Sequence, residues 1–546
     1  MKKLINNNKY LILILFFGFF LRIFNIFNSP PSLYWDEVSI GYNSYSIAET
    51  LKDEHGNLLP VQAFTAYGDY KAPLYIYLTA PIVKLFGLNY LTVRLTSIIS
   101  GTILILLLYL LAKEITPKNK KYPFLAALFI CISPWSIQLS RAAFEANLAT
   151  TLATAGTLFF VKSRVKPKLI FLSVIFFIGS MYAFNGTRYF LPIWIFFLGL
   201  WQLFNKRISI NYAKYLIVSV LLGIILIIPL ISFGLTSSGQ LRFNEVNIFS
   251  DPEPVSKSNS LQLQNNNSII SKIIYNRRVF HAQNYFDHYL DHFSFQYLFL
   301  TGDINPRFSS QKMGQLYLVE LILIFIGLIY LFKNKRKFFY FILFWILLSP
   351  IAASVARETP HALRTLHMLP ALILTSSYGM IYLFEQVKKA KLKKILSSTF
   401  LFLILFQFLI FYSDYIYFYP KKFADSWQDG YRQMSESLKK VKDKYPKILV
   451  TDEYGRAYAN LLYYWRYSPE DYIKTRKANS EPSGLWNVYG FSNISFKPTL
   501  SCADSNSADL LVGTPSEFRG INNREVIFDS FNRPKFVMIN SNDCKK

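Results

Sequence analysis

The chain has 546 residues, of which 52% are hydrophobic and only 17% are charged, and this balance excludes a string of ordinary soluble domains. Its net charge of +26 would indicate nucleic-acid binding in a soluble protein. Here many of the cations stand in short clusters between apolar runs, which is typical of membrane topology signals. The composition therefore predicts a polytopic membrane protein without a nucleic-acid partner.

Apolar runs of nearly twenty residues recur from Leu11 to Phe418. Each is long enough to cross about 30 Å of hydrocarbon as a helix. The first run imitates a secretory signal, but no small-x-small cleavage site follows it, so we interpret it as an uncleaved helix. The pattern predicts about eleven membrane helices, at 10–28, 92–112, 123–140, 146–161, 169–184, 189–204, 215–233, 316–332, 338–355, 365–384 and 396–418.

The clustered cations fall on alternate loops of this topology, whereas the short connections between them carry single cations. By the positive-inside bias, the clustered side is cytoplasmic. The N-terminus is then predicted in the cytoplasm and the C-terminal residues outside the plasma membrane. The cytoplasmic clusters lie within Lys2–Lys9, Lys113–Lys121, Lys162–Lys168, Lys206–Lys214, Lys333–Lys337 and Lys388–Lys394.

Two domains are predicted. Residues 1–419 form a transmembrane domain with long outer loops at about 29–91 and 234–315, and residues 420–546 form a small extracytoplasmic α/β domain. The strands of that domain are expected at Lys447–Thr451, Asp509–Gly513, Glu525–Asp529 and Lys535–Ile539. Three cysteines exclude a disulfide scaffold, and pairing of Cys502 with Cys544 is left open.

The first outer loop carries an acidic pair, Asp36 and Glu37, shortly after the first helix. Such a carboxylate can act as a general base on a hydroxyl or amide, or bind a divalent cation. The alternative is a solvated acidic turn or a helix N-terminal pair. Farther along, Lys71 follows Tyr67 and Asp69 and suits a phosphate, although lysines beside aromatic residues are more often interfacial anchors.

Isolated charges at other outer helix ends extend this candidate site. They are Arg94, Arg141, Glu145, Arg188, His361 and Arg364. Arg141 and Glu145 are four residues apart, so they also suit a structural ion pair. His361 and Arg364 share a face if their segment is helical, and His361 is either a proton shuttle or a structural residue. Gly302–Arg307 resembles a simple turn. A cation-lined cavity with a carboxylate pair at its rim suits an anionic lipid headgroup.

These residues resemble a known family, the polytopic GT-C glycosyltransferases, particularly bacterial members similar to dolichyl-phosphate-mannose protein mannosyltransferases and the lipid A aminoarabinose transferase. The likeness covers roughly residues 10–420. It rests on Asp36 and Glu37, the Gly-Asp-Tyr-Lys-x-Pro-Leu-Tyr run from Gly68, Arg94 at a helix start, and a soluble domain after the last helix. Ala72 stands where relatives often have a second proline. The resemblance implies a mainly α transmembrane bundle.

The resemblance also implies a function, the transfer of a sugar from a polyprenyl-phosphate-linked donor to an acceptor on the outer face, with inversion expected. It implies Asp36 as the base, Glu37 as its neighbour and a metal or acceptor contact, and Lys71 as a phosphate ligand. Arg141 and Arg364 are added as phosphate ligands from the topology. Whether the acceptor is a protein, a lipid or a glycan, and whether Mg²⁺ or Mn²⁺ is required, is left open.

Two other classes of protein remain as alternatives. One is a transporter or flippase of an anionic lipid or glycan, and the other is a polymerase or ligase of lipid-linked glycans. Transporters place coupling charges near the bilayer midplane, whereas the charges here are predicted at the outer rim. The acidic pair of the first loop favours the glycosyltransferase over the polymerase.

Overall fold

A computed structural model describes residues 2–117, 119–205, 209–480 and 486–544. Lys118, Lys206 and Arg207, which belong to the predicted cytoplasmic clusters, lie outside the described residues. The chain divides into two compact units. The helical unit comprises Met1–Ile23, Ser97–Ser140 and Phe144–Asp414, and the mixed unit comprises Phe24–Thr96, Arg141–Ala143 and Tyr415–Lys546.

Helices dominate the described residues. In chain order they are α1 (Lys2–Ile23), α2 (Trp35–Thr50), α3 (Pro73–Phe86), α4 (Tyr90–Ile115), α5 (Lys121–Ile132), α6 (Pro134–Ser140), α7 (Glu145–Ser163), α8 (Ile170–Ala183), α9 (Thr187–Asn205), α10 (Ile210–Gly234), α11 (Ser237–Val246), α12 (Glu253–Gln264), α13 (Ile269–Ile274), α14 (Arg277–Asp291), α15 (Leu318–Asn334), α16 (Arg336–Leu348), α17 (Leu369–Gln386), α18 (Ala390–Ser413), α19 (Tyr419–Lys422), α20 (Tyr431–Val441), α21 (Ala457–Trp465) and α22 (Pro469–Thr475).

The strands among the described residues are short, and all of them lie in the mixed unit. They are β1 (Phe64–Ala66), β2 (Asp69–Lys71), β3 (Ile448–Thr451), β4 (Lys477–Ser480), β5 (Trp486–Phe491), β6 (Ile494–Lys497), β7 (Leu510–Gly513), β8 (Glu525–Phe528) and β9 (Pro534–Asn540).

A helix, or the bent pair α5 and α6, occurs at each of the eleven predicted membrane positions. By length and composition, six of the described helices can cross a membrane, and α5 with α6, bent by 56°, would make a seventh. The number eleven therefore stays a prediction. The apolar windows of α10 and α18 are only 11% and 17% buried, so their apolar surface needs hydrocarbon around it. The chain is an integral membrane protein.

Close packing of α15 against α17 shows how the helical unit is held together. A Cβ atom at Gly327 would clash with the backbone oxygen of Thr375, and one at Gly379 would clash with that of Leu323. The two glycines thus let the backbones approach each other, which is a common means of helix association in membranes.

The large sheet of the mixed unit has the strand order β4-β5-β6-β3-β7-β9-β8. The central strand β3 is parallel to both of its neighbours, and the outer pairs are antiparallel. Its buried core includes Leu449, Leu511, Phe518 and Val537. The predicted strands correspond to β3, β7, β8 and β9, whereas β4, β5, β6 and the hairpin β1–β2 were not predicted from the sequence.

The cysteines of the mixed unit, Cys502 and Cys544, form a disulfide with a Cα–Cα distance of 5.2 Å. Both pack against the core of the large sheet. The third cysteine, Cys131, is a buried free thiol of the helical unit. The disulfide thus ties the last described turn of the chain to the segment that precedes β7.

The predicted first outer loop is folded, and it belongs to the same compact unit as the C-terminal residues. It forms α2, the hairpin β1–β2 and α3. A Cβ atom at Gly41 would lie 2.7 Å from the Tyr463 ring, so a glycine is needed for α2 to approach α21 this closely. The Tyr42 hydroxyl donates to the backbone oxygen of Tyr467 at 3.1 Å. The first loop is therefore fastened to the C-terminal part of the chain.

Candidate active site

Four residues of the predicted site lie together in the mixed unit. Asp36 is in the first turn of α2, and the hairpin β1–β2 brings Tyr67 and Lys71 to it. Lys71 Nζ pairs with Asp36 Oδ1 and lies 3.2 Å from Asp69 Oδ2. The Tyr67 hydroxyl donates to the same Asp36 oxygen at 3.1 Å. The structure thus unites the carboxylate and the cation that the sequence placed in one loop.

The short hairpin explains how these side chains come together. Its strands pair Phe64 with Lys71 and Ala66 with Asp69, and the turn between them contains Gly68 at φ +64°. Glycine adopts this left-handed conformation at little cost. The Asp69 carboxylate also accepts from the Tyr70 amide at 2.8 Å, so Lys71 contacts an anion that is itself fixed. The hairpin therefore sets the position of the cation.

Asp36 is within reach of a substrate, whereas its partners are covered. Its side chain is 26% exposed, against 7% for Lys71. Burial, and next the nearby Asp36, raise the pKa of Tyr67, so its hydroxyl stays protonated and keeps donating. The Asp36 carboxylate is thus held by Lys71 and Tyr67, with part of its surface open.

The contacts of Asp36, Asp69 and Lys71 affect whether a divalent metal ion can bind at this site, which the sequence left open. Among the described residues, no group of three or more His, Cys, Asp or Glu side chains is placed to hold a metal ion. At Asp36 and Asp69, the Lys71 ammonium contacts both carboxylates and already supplies the positive charge that they share. A divalent cation bound by these two residues would have to displace it.

Glu37 has different surroundings from Asp36. Its side chain is fully buried, and it forms a bidentate pair with Arg94, with Nε–Oε1 at 2.9 Å and Nη2–Oε2 at 3.0 Å. Oε1 also accepts from the Ala143 amide at 2.8 Å. The geometry therefore supports a positioning role for Glu37 and gives no support to the predicted contact with a metal or an acceptor.

The two buried arginines of the mixed unit hold the backbone that leads into α2. Arg94 donates to the backbone oxygens of Ile26 at 2.9 Å and Ser32 at 2.6 Å, and Arg141 donates to that of Ser29 at 2.7 Å. Both arginines are 0% exposed. A phosphate could reach Arg141 only after this packing opened, so the predicted phosphate contact of Arg141 finds no support in the geometry.

The other predicted residues belong to the helical unit. Glu145 lies in the first turn of α7, where its charge suits the helix dipole. Arg188 lies in the first turn of α9 and donates from Nε to the backbone oxygen of Met181 at 3.2 Å. The structure thus places these two charges at helix starts, as the sequence predicted.

His361 and Arg364 lie in an irregular turn, because α17 begins only at Leu369. The condition for their sharing a helix face is therefore not met. The His361 amide donates to His292 Nε2 at 3.2 Å, and the His361 ring stacks on Phe308 with a centroid distance of 5.0 Å. These contacts favour the structural interpretation of His361.

Asp303 lies in the Gly302–Arg307 segment, which the sequence suggested is a simple turn, and its carboxylate contacts the turn that carries His361. Its Oδ2 accepts from the Ala362 amide at 2.6 Å and its Oδ1 from the Asn305 amide at 2.8 Å. Burial raises the pKa of Asp303 to about 6 and lowers the pKa of His292 to about 4. Asp303 thus fixes the segment that carries His361.

Sequence reasoning missed Arg456, which follows β3 in the C-terminal part of the mixed unit. Its guanidinium carbon lies 4.5 Å from the centroid of the Tyr67 ring. The one signal in the sequence is that Arg456 ends a Glu-Tyr-Gly-Arg turn directly after a buried strand. In sheets with parallel strands, ligands commonly bind beyond the carboxyl ends of the strands.

Comparison with known proteins identifies what the chain is similar to. The family model described as dolichyl-phosphate-mannose-protein mannosyltransferase matches residues 70–233. No curated protein matches the chain. The fold is similar to that of ArnT from Cupriavidus metallidurans bound to undecaprenyl phosphate, with a TM-score of 0.51 and 10% identity over 97% of this chain and 98% of that one.

Two structures of the oligosaccharyltransferase from Archaeoglobus fulgidus are also similar. AglB with an inhibitory peptide and a dolichol-phosphate has a TM-score of 0.51 and 13% identity over 84% of this chain and 63% of its own. The form tethered to an acceptor peptide has a TM-score of 0.52 and 12% identity over 83% and 62%. The chain spans about three fifths of these proteins. The likeness predicted from the sequence is thus confirmed at the level of the fold, a mostly helical membrane protein with a C-terminal sheet region.

Proposed function

We propose that the chain is a membrane glycosyltransferase that moves a sugar from a polyprenyl-phosphate-linked donor to an acceptor on the outer face of the plasma membrane. The observation that carries the proposal is the reachable Asp36 carboxylate, held by Lys71 and Tyr67 in a folded first loop. The likeness of the fold to a protein crystallised with undecaprenyl phosphate supports the choice of donor.

The reaction uses these groups in one displacement. Asp36 accepts the proton of the acceptor hydroxyl or amide, and the acceptor atom attacks the anomeric carbon of the sugar. The bond between that carbon and the phosphate oxygen breaks, and the electron pair leaves with the polyprenyl phosphate. Lys71 loses one of its two charged partners as Asp36 is protonated and keeps Asp69, so its ammonium can stabilise the departing phosphate. Direct displacement inverts the anomeric centre.

The buried pair of Glu37 and Arg94 supports this step indirectly. It fixes the first turn of α2 against the backbone that precedes it, so Asp36 is presented by a rigid element. A base works best when its position is set before the substrate arrives. Glu37 is therefore assigned to positioning and Asp36 to proton transfer.

The acceptor is a protein, a lipid or a glycan, and the peptide-bound archaeal oligosaccharyltransferase provides a precedent for a protein. The proposal assigns the positive charge beside Asp36 to Lys71. A requirement for Mg²⁺ or Mn²⁺ elsewhere in the reaction is to be measured by adding each ion after chelation.

The proposed orientation places the N-terminus in the cytoplasm and the domain of residues 420–546 outside, after the transmembrane domain of residues 1–419. The disulfide of the mixed unit supports it, because disulfides persist in oxidising compartments. In a Cys131→Ala background, a membrane-impermeant thiol reagent should label a cysteine at exposed Lys474 and not one at exposed Lys391. The reverse labelling would contradict the orientation.

Asp36→Asn tests the function. With a synthetic polyprenyl-phosphate sugar as the donor, we expect transfer to fall by roughly 100- to 10,000-fold, because a positioned general base contributes on that scale. Expression and donor binding should stay near the wild-type level. The matched control is Glu49→Gln, an exposed acid on the same helix, which should transfer normally. Full activity of Asp36→Asn would remove Asp36 as the base.

A further inference from the structure

Arg456 lies one side chain away from the proposed base. Its guanidinium stacks on Tyr67, the residue whose hydroxyl donates to Asp36. A Cβ atom at Gly68 would lie 3.5 Å from Arg456 Nη2, so the guanidinium also faces the turn of the hairpin. One tyrosine ring thus separates this cation from the carboxylate that accepts the proton.

The turn that carries Arg456 is firmly held. Gln428 donates to the backbone oxygens of Tyr454 and Gly455 at 2.7 and 2.8 Å, and the Asp452 carboxylate accepts from the Ala457 amide at 2.6 Å. The backbone of Arg456 itself has φ +65°. Residues other than glycine rarely adopt a positive φ, because this backbone conformation is strained for them. Such strained positions concentrate at functional sites.

The guanidinium of Arg456 differs from the other cations near Asp36 in what it binds. Lys71 is paired with two carboxylates, and Arg94 and Arg141 are buried on backbone oxygens. Arg456 is only half-buried, and within the described ranges its side chain donates no hydrogen bond and forms no ion pair. The N–H groups of its guanidinium are therefore available to bind an anion.

A second polar group nearby has an unused hydrogen-bonding capacity. Tyr458, two residues after Arg456, is 6% exposed, and its hydroxyl has no hydrogen-bond partner in the part of the chain that the structure describes. It interacts electrostatically with Glu54 and Tyr472, then with Arg456, and also with Tyr67. Buried polar groups are nearly always satisfied in native proteins, so the unused hydrogen-bonding capacity of Tyr458 is available to a ligand.

The charge balance identifies that ligand. Asp36 and Asp69 carry two negative charges and Lys71 carries one positive charge, so this cluster alone repels an anion. The donor phosphate must nevertheless lie in the same site, because the acceptor atom that Asp36 deprotonates attacks the sugar carbon from which the phosphate departs. A guanidinium binds phosphate through two parallel hydrogen bonds, and it suits this task better than an ammonium.

We propose that Arg456 binds the phosphate of the polyprenyl-phosphate donor, stacked on Tyr67 beside Asp36. This inference rests on the proposed function and deepens it, since it makes the C-terminal part of the chain a component of the donor site. Arg456 then offsets the repulsion from the two aspartates and stabilises the negative charge that develops on the leaving phosphate.

The test measures equilibrium binding of polyprenyl phosphate to the purified full-length protein in nanodiscs. Arg456→Gln should weaken binding by about tenfold to a hundredfold, the range expected for a hydrogen bond to a charged group. Arg456→Gly should weaken it equally while leaving the thermal midpoint unchanged or higher, because glycine relaxes at positive φ. The matched control is Arg466→Gln, an exposed arginine at the other end of α21.

A second ligand separates phosphate recognition from a structural effect. Polyprenol, which lacks the phosphate, should bind alike to the wild type and to Arg456→Gln. Equal weakening of polyprenol and polyprenyl phosphate would overturn the proposal, and so would wild-type affinity of Arg456→Gly for polyprenyl phosphate. Inorganic phosphate that bound as tightly as the lipid would assign Arg456 to free phosphate and overturn the lipid assignment.

The same assay keeps the two proposals distinguishable. If the wild-type protein bound no polyprenyl phosphate, the proposed function itself would fail, and the role of Arg456 with it. If the wild type bound the lipid and Arg456→Gly bound it equally well, only the role of Arg456 would fail, and the assignment of Asp36 would stand.

Discussion

The buried pair of Glu37 and Arg94 leads to a specific prediction, because Glu37 adjoins Asp36 in the sequence but has a structural role instead of a chemical one. Glu37→Gln keeps the shape of the side chain but leaves the Arg94 charge buried without its anion, and it turns an amide NH₂ toward the guanidinium. Removing one partner of a buried pair costs about 3–5 kcal/mol. We therefore expect Glu37→Gln to destabilise the mixed unit strongly.

The size of the effect can be worked out for thermal unfolding. The mixed unit has roughly 200 residues. For a domain of that size, 1 kcal/mol shifts the midpoint by about 2–4 °C, so a loss of 3–5 kcal/mol lowers it by roughly 6–20 °C. Asp36→Asn, one position earlier, removes a partly exposed carboxylate and should shift the midpoint by only about 2 °C. Tryptophan fluorescence in detergent can follow both.

A double variant checks the physical reason. Glu37→Gln combined with Arg94→Gln leaves no unpaired charge, so we expect it to be more stable than the sum of the two single changes predicts. Additive losses in the double variant would refute the argument from charge burial. So would a midpoint of Glu37→Gln within about 2 °C of the wild type, because a solvated pair is worth only about 0–1 kcal/mol.

Two further predictions concern the helical unit. Gly327→Ala should destabilise the helical unit by about 1–3 kcal/mol in detergent unfolding, because the added methyl group overfills a backbone contact. The control is Gly199→Ala, which has open space around the new methyl group and should be neutral. Equal unfolding midpoints of the two variants would contradict this prediction. Burial raises the pKa of Asp303 from 3.8 to about 6, so the folded protein binds this proton more tightly than the unfolded chain does. The protonated carboxyl therefore stabilises the fold by up to about 3 kcal/mol. This stabilisation is complete below pH 4 and is lost as the pH rises through 6. Asp303→Asn should therefore gain thermal stability relative to the wild type between pH 4 and 7, and a difference that did not change with pH would contradict the burial argument.

The membrane helices could be predicted from the sequence because a long apolar run has few alternatives in a bilayer. The positions of α10 and α18 follow from this directly. The short strands β5 and β6 could not be predicted in the same way. They are four to six residues long and only partly apolar, and it is their pairing within the large sheet that makes them strands.

The candidate site was only partly predictable. Asp36 and Lys71 lie in one short loop, so their proximity was a reasonable expectation. Asp36 and Glu37 are neighbours, yet successive residues of a helix point about 100° apart, and only the packing of α2 decides which one is buried. Arg456 comes from the far end of the chain, and no local pattern reveals that β3 delivers it to the first loop.

The most direct measurement follows a labelled polyprenyl-phosphate sugar in proteoliposomes that contain the purified protein and a membrane extract as the source of acceptors. We expect the wild type to cleave the bond between sugar and phosphate, to release polyprenyl phosphate and to yield a product of inverted anomeric configuration, and Asp36→Asn to do so roughly 100- to 10,000-fold more slowly. Movement of intact donor between the leaflets without cleavage would contradict the proposed sugar transfer and would favour a lipid transporter.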